Sequence, residues 1–562
     1  MTDFSLKVKH YLDFMAKNLI LSLLCLIVFS CKKNDAVSVT DTSLSFQVNG
    51  AYNGTLVYHN VPLKPSVVFQ FTEAVSPENI NQHIVLQSSN LAVIESEYVF
   101  SNQDKTLAIT PTANLGSLQE YKLVVKPSLK TKSNGKLINP VTIQLNTVLD
   151  QTDKFPRIPD EELLTLVQKQ TFKYFWDFGH PVSGMARERN TSGNLVTSGG
   201  SGFGVMAIIT GIHRGFITKQ EGFERIRKIV SFLKNDAQKF HGAFSHWIDG
   251  TTGAALQFSQ KDNGADLVET SLLMQGLITA KQYFKESNMA ETSLRDDITE
   301  IYNNIEWDFF RKDGGDVLYW HWSPNFNWEM NLPIRGYNEC LITYVLAAGS
   351  TTHGIPKTVY DNGWARNGAI KNGKTYYGIQ LPLGPEKGGP MFLDHYSFLG
   401  INPNGLSDAY ANYEQQTKAH ALINYNHCKE NPNNYAGYSD ECWGLTASDI
   451  KDGYTASSPT NDRSFIAPTA AIASLPYTPE ESMKALRFFY YKLGDKIFKD
   501  YGFTDSFSLQ ERWFASSTLA IDQGPIIIMI ENYRSNLLWD LFMSSPEAKS
   551  GLVKLGFQSS KI

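Results

Sequence analysis

The 562-residue chain has no long run of like charge, few cysteines and no HExxH or CxxC motif. Its 51 Lys and Arg against 56 Asp and Glu give a formal net charge of −5. Without a basic stripe or patch it offers no footprint for nucleic acid. Five cysteines set no disulfide framework. The twelve histidines are scattered, so no metal site and no cofactor is expected. No self-similar repeat recurs, which argues against an open solenoid. What the chain has in quantity is aromatic side chains: 10 Trp, 26 Tyr and 33 Phe, within 42% apolar residues. That supplies a large core and is far too rich for disorder. In a protein outside the cytoplasm it also suits stacking on sugar rings.

Near the start, residues 15–35 read MAKNLILSLLCLIVFSCKKND. Lys17 precedes the apolar run Leu19–Phe29, then come Ser30 and Cys31, the layout of a secretory signal with a small residue at the cut. The apolar run is about half of the ~20 residues a membrane span needs. Ser30-Cys31 resembles a bacterial lipobox, with Phe29 departing from its usual small residue. The expectation is a signal over 1–30, a lipid anchor on Cys31 and a membrane-anchored lipoprotein in the periplasm or on the outer-membrane surface. Met15 is the start that gives such a signal its normal length. Cys340, Cys428 and Cys442 then remain; Cys428 and Cys442 either pair in an oxidising periplasm or stay as free buried thiols.

Residues 31–43 read as the lipidated terminus and tether. Over 44–148 short alternating runs such as PSVVFQFTEAV, TLAITP and YKLVVKP are separated by turn residues, the pattern of a β-sandwich. This stretch resembles the bacterial Ig-like modules that precede many surface enzymes. It holds no catalytic constellation, so a spacer is expected, with glycan binding as the alternative. The linker is 149–160. From 161 to 562 the period becomes helical, with long Gly-, Trp- and Tyr-rich loops between the helices, and loops of that length in a compact domain are usually functional. An all-α closed array, an (α/α)6 toroid, is the expected fold.

The chemistry concentrates where acids meet apolar helices. In KDNGADLVETSLLMQG (261–276) Asp262 or Asn263 is placed to cap a helix, and Asp266 and Glu269, three apart, share its buried face. Glu339 heads a second apolar segment in IRGYNECLITYVLAAG, and Asp522 precedes the Gly-Pro opening of a third. A helix start alone stabilises an acid by roughly 0.3–1 kcal/mol, which is the bland explanation for each one singly. Three such starts converging on one rim suit glycoside cleavage, which needs one carboxyl with a raised pKa and a second carboxylate. Trp247, Trp320, Trp322, Trp328 and Trp443 lie in loops between helices as candidate stacking platforms. Arg187, Arg189 and His395 are candidate donors to sugar hydroxyls; loop packing is the alternative for each.

The stretches TSGGSGFGVMAIITGIHRGFIT, HGAFSHWIDG, KDNGADLVETSLLMQGLITA, YWHWSP, RGYNECLITYVLAA, HYSFLGINPNGLSDAYANY, WGLTASD and AIDQGPIIIMIENYRSNLLW resemble the glycoamylase-like family, glycoside hydrolase family 144, over about 160–546. The resemblance implies an (α/α)6 fold and inverting hydrolysis of β-1,2-glucan to sophorose or short sophorooligosaccharides, by endo or exo attack. Its essential acids fall on Asp266 and Glu269 of the DxxE pair and on Glu339. Because inverting enzymes hold their carboxyls roughly 6.5–9.5 Å apart, Glu339 is expected to work with one of the other two. Trp247, Trp320, Trp322, Trp443, Arg187, Arg189, His395 and Asp522 are the expected substrate contacts. A monomer binding β-linked glucan is the expected state. The rival reading is a non-catalytic glycan-binding lipoprotein of a sugar-uptake system, which has no need of converging buried acids.

Overall fold

A computed structural model describes residues 38–562, so the signal and Cys31 lie outside the described residues. The chain forms two compact units, dividing between Leu149 and Asp150. In the first, alternating apolar residues build two four-stranded sheets. One joins β1 (Leu44–Val48), β3 (Val67–Phe71), β6 (Thr106–Pro111) and β5 (Ser96–Ser101) in that order; the other joins β2 (Val57–Val61), β8 (Val141–Thr147), β7 (Glu120–Val125) and β4 (Ile84–Ser88). All pairs are antiparallel except β2 with β8. Phe69, Leu107, Ile84, Leu123, Ile143 and Leu145 form the dry core.

The second unit is helical, and its helices are of two kinds. In α2 (Ser198–His213), α4 (Leu267–Tyr283), α6 (Leu341–Gly349), α8 (Pro468–Ile472) and α10 (Ala520–Ser535) nearly every residue is buried. A helix apolar all round belongs in the interior. By contrast, α1 (Asp160–Trp176), α3 (Lys219–Asn235), α5 (Met289–Asn303), α7 (Tyr413–Glu430) and α9 (Pro479–Ile497) are buried on one side only. In chain order buried and half-buried helices largely alternate. Helix α2 packs on α4 and α10, α4 on α6, and α8 on α10, while α3, α5 and α9 back α2, α4 and α8. The α2–α4 crossing is backbone against backbone. A Cβ on Gly202 would stand 2.2 Å from the Leu272 carbonyl oxygen, and one on Gly276 2.1 Å from that of Gly202. Only glycine fits at either position.

Several helix limits fall away from the ends of the apolar runs. The apolar run ending in NYRSNLLWDLFM is cut at Asn536, whose φ of 59° ends α10 and starts α11 (Leu537–Met543). Helix α10 opens at Ala520, before the Gly-Pro pair, so Pro525 lies inside it. Helix α3 stops at Asn235, and Lys239–Phe240 pairs with Ala243–Phe244 as a small hairpin. The segment GAIKNGKT (368–375) spells a phosphate-loop pattern. It runs instead from a 3₁₀ turn into a two-residue strand, with no helix start to hold a phosphate. Cys340, Cys428 and Cys442 are free and buried, so the Cys428–Cys442 pairing is not made. Among the described residues no helix is long and apolar enough to cross a membrane.

Candidate active site

A cavity of about 470 Å³ opens where the starts of α2, α4, α6 and α10 meet, lined by Thr197, Glu269, Glu339, Leu519 and Ile521. His246, Trp247 and Phe258 form one wall; Tyr454 and Ala456, from the hairpin of Ala447–Ile450 with Gly453–Ala456, contribute to another. The cap of α4 is Asp266, whose Oδ1 accepts the Glu269 N–H at 2.9 Å, and not Asp262 or Asn263. Asp262 turns toward His321, 3.4 Å away, because Ala265–Asp266 is drawn into a strand pair with His321–Trp322. Glu269 therefore sits three residues into the helix and faces the cavity. Its Oε2 accepts the Gly199 N–H of the α2 start at 2.8 Å and the Thr197 hydroxyl at 3.4 Å. A Cβ at position 199 would lie 2.5 Å from that oxygen, so the close approach requires glycine.

Two acids three residues apart are pushed in opposite directions. Burial disfavours the charged form of Asp266, but the hydrogen bond with His246 Nδ1 at 3.0 Å and the nearby His321 outweigh it, and its pKa is lowered. For Glu269 burial dominates; the His246 charge and the Gly199 and Thr197 donors oppose it only in part, while Asp266 adds repulsion, so its pKa is raised. For His246 the burial penalty is overcome by Glu269 and Asp266, which lift it to about 9. Its ring stacks on Phe258 with centroids 3.9 Å apart. Glu339, immediately before the Cys340 cap of α6, is pushed up to about 7. Burial is the main cause, only its own backbone N–H offsets it, and Glu269 and Asp266 add to it. The backbone is fixed by the Ser397 hydroxyl, which donates to the Glu339 carbonyl.

Sequence comparison matches residues 331–546 to a family described as "Putative glucoamylase" and residues 52–147 to a bacterial Ig-like domain. A crystal structure of a putative glucoamylase from Bacteroides uniformis is 54% identical, with a TM-score of 0.72 over 73% of this chain and 100% of that one. This chain belongs to the glycoamylase family. An endo-β-1,2-glucanase from Chitinophaga pinensis, solved with sophorotriose and glucose, is 51% identical over 72% of this chain and 100% of that chain, with a TM-score of 0.71. An exo β-1,2-glucooligosaccharide sophorohydrolase (non-reducing end) of Parabacteroides distasonis is 46% identical over 418 residues, 70% of this chain. The match spans 58% of that curated relative's length.

In this glycoamylase-family chain the other expected site residues separate into two groups. Trp247 and Arg189 line the cavity. Arg189 is held by Glu188 at 2.9 Å and Asp449 at 3.2 Å, so it fixes the hairpin as well as facing the pocket. The remainder point elsewhere. Trp443 is wholly buried and donates to the Glu481 carbonyl at 3.2 Å, and is core rather than platform. His395 is equally buried, 3.1 Å from Ser474 Oγ; burial, aided by His420, holds it down at about 3, so it is a neutral packing group. Arg187 spends its donors on the Gly193 and Phe178 carbonyls, both at 2.6 Å, and lies over the Phe178 ring. Trp320 packs on the core, and its carbonyl receives the Leu267 N–H that starts α4. Trp322 meets His241 and Phe309 edge-on. Both tryptophans thus hold the strand that carries Asp266, and neither lines the cavity. Asp522 is buried behind Ile521 and shares a hydrogen bond with Asp505, which burial pushes up to about 7.

Sequence reasoning missed His246, Phe258, Tyr396 and Tyr454, which line the cavity, and Asp505, which pairs with Asp522 away from it. His246 stands beside the selected Trp247, and the Asp452-Gly453 pair signals the tight turn that presents Tyr454. No local signal marks Asp505 or Tyr396.

Proposed function

We propose that this chain hydrolyses β-1,2-linked glucan or its sophorooligosaccharides with inversion at the anomeric carbon. Glu339 acts as general acid and Glu269 as general base. The observation that carries the assignment is the Glu339 carboxyl, pushed up to about 7 and facing the same cavity as a second glutamate. At and below neutral pH it holds a proton to give to the glycosidic oxygen. Glu269, with two donors and the His246 cation beside it, is the better supported carboxylate of the two. It takes a proton from water, whose oxygen attacks C1 on the opposite face as the C1–O bond breaks. Glu339 is left ionised and Glu269 protonated, and exchange with solvent resets both.

Asp266 does not line the cavity. It is spent on the α4 cap and on keeping His246 charged, so it is a positioning residue. Asp266 and Glu269 share one helix start, three residues apart, whereas Glu339 comes from another helix. Trp247, Phe258 and Tyr454 supply stacking faces for sugar rings. The names of the Chitinophaga and Parabacteroides relatives support the substrate. The near-alternation of buried and half-buried helices, with helix starts gathered at one cavity, supports an (α/α)6 toroid. A lipid anchor on Cys31 would hold the enzyme at the cell envelope; palmitate labelling that disappears in Cys31→Ala tests it.

The product profile over time on linear β-1,2-glucan, with laminarin, cellulose and starch as controls, tests the reading. A ladder of sophorooligosaccharides signifies endo attack, and sophorose alone from the first minutes exo attack. NMR of the first product shows the inverted anomer. No release from β-1,2-glucan, or release with retention, overturns the proposal. Binding without hydrolysis favours the glycan-binding lipoprotein.

A further inference from the structure

A second concavity, of about 560 Å³, lies on the β-sandwich where β1 and β3 meet the loop that carries Tyr52 and Leu56. The strand alternation that sends Phe46, Val48, Phe69 and Phe71 into the core turns Gln47, Val68 and Gln70 outward. Gln47 pairs across the strands with Val68, and Ser45 with Gln70. The two residues are therefore diagonal neighbours, their backbone positions roughly 7–8 Å apart, and among the described residues neither has a hydrogen-bond partner for its side chain. Tyr52 meets Phe46 edge-on, centroids 5.3 Å apart at 86°. That contact anchors the ring yet leaves the residue 59% exposed, with Leu56 46% exposed beside it.

We propose that this groove is a second glycan site, which binds an uncharged hexose oligomer; its identity as β-1,2-glucan rests on the function proposed above. No residue lining the groove carries a charge. An anionic polymer or a charged peptide segment would find nothing to pair with, and an apolar helix would leave both amides desolvated and unbonded. A neutral sugar chain meets all three features. Its C–H face covers the Tyr52 ring and the Leu56 and Val68 side chains, and its hydroxyls both donate to and accept from Gln47 and Gln70. No reaction is implied; the site raises the local concentration of polymer for the chain's own cavity by linkage within one molecule.

The test is retention of the full chain in native gels cast with soluble polysaccharide, using Glu339→Gln as parent so that polymer survives. Tyr52→Ala should weaken retention by β-1,2-glucan threefold or more, with turnover of short sophorooligosaccharides by the otherwise unaltered enzyme within twofold of normal. Gln70→Ala, an exposed side chain outside the core, should weaken retention in the same direction and guards against a folding defect in Tyr52→Ala. Unchanged retention in both variants overturns the proposal, as does a parent that no neutral polysaccharide retains. Tyr52-dependent retention by laminarin or pullulan, with no hydrolysis of β-1,2-glucan, upholds the groove and refutes the substrate assigned above.

Discussion

Two carboxylate clusters sit at the starts of buried helices, and they neutralise their charge by different means. Around α4 and α6, Asp266 is matched by the His246 imidazolium at 3.0 Å, while Glu269 and Glu339 face an open cavity. Around α10, Asp505 and Asp522 are shut away, and one oxygen of each lacks a donor, an arrangement satisfied by a single proton shared between them. Asp449 completes that group: its N–H donates to Asp505 at 2.5 Å, and its carboxylate takes the Ser517 hydroxyl at 2.5 Å and Arg189 at 3.2 Å. Raised pKa values occur in both clusters. Access to the cavity, more than the shift itself, separates groups able to exchange protons with a substrate from groups that hold structure.

Substitutions sharpen the contrast, and the largest effect belongs to Glu339. Replacing it by Gln should lower kcat by about 10³-fold or more while the fold stays intact. Because burial penalises its charged form, the unsubstituted chain loses stability as pH rises from about 4.5 toward about 7. Glu339→Gln should therefore melt ~1–3 °C higher than the parent at pH 8 and about equally at pH 4. Calorimetry at the two pH values reads this. Turnover of the unsubstituted enzyme should fall as pH rises through about 7, as the acid loses its proton. A kcat flat to pH 9 would reassign the acid.

An intermediate effect is expected for Asp266→Asn. It keeps the shape of the α4 cap but removes the charge that faces His246, so kcat should drop by about 10²-fold. NMR should find the His246 titration well below about 9. An unmoved imidazole would show that Glu269 alone sustains the cation.

The smallest effect is expected in the shut cluster. Asp505→Asn should change kcat by less than about tenfold, because Asp505 is buried and does not line the cavity. Its pKa is raised in the folded chain to about 7. The stability it contributes is thus full below about 4 and lost as pH rises through about 7. Between pH 4 and 8 the variant should show a flatter melting curve against pH than the parent. A kcat loss as large as that of Glu339→Gln would erase the distinction between the two clusters.

Much of this was legible beforehand because it depends on neighbours along the chain. Apolar residues at period 2 and then at the helical period marked the two kinds of unit, and acids ahead of apolar runs marked Glu269 and Glu339. The cap was misplaced by three or four residues because strand pairing with His321–Trp322, more than fifty residues away, set where α4 begins. Trp443 and His395 looked like loop residues of a cleft, since a Gly-rich loop around an aromatic reads the same whether it covers a core or lines a pocket. Free amides on an alternating strand, such as Gln47 and Gln70, gave no hint of the concavity that Tyr52 and Leu56 complete.

The sequence by itself determined the period of each element and the acids at the helix mouths, because these follow from sterics and hydrogen bonding over a few residues. The tertiary structure alone decided which way the pKa of each acid moves. That difference arises from groups remote in sequence, the Gly199 amide 70 residues before Glu269 and the His246 ring against Asp266, brought within 3 Å in a site where burial makes each charge costly.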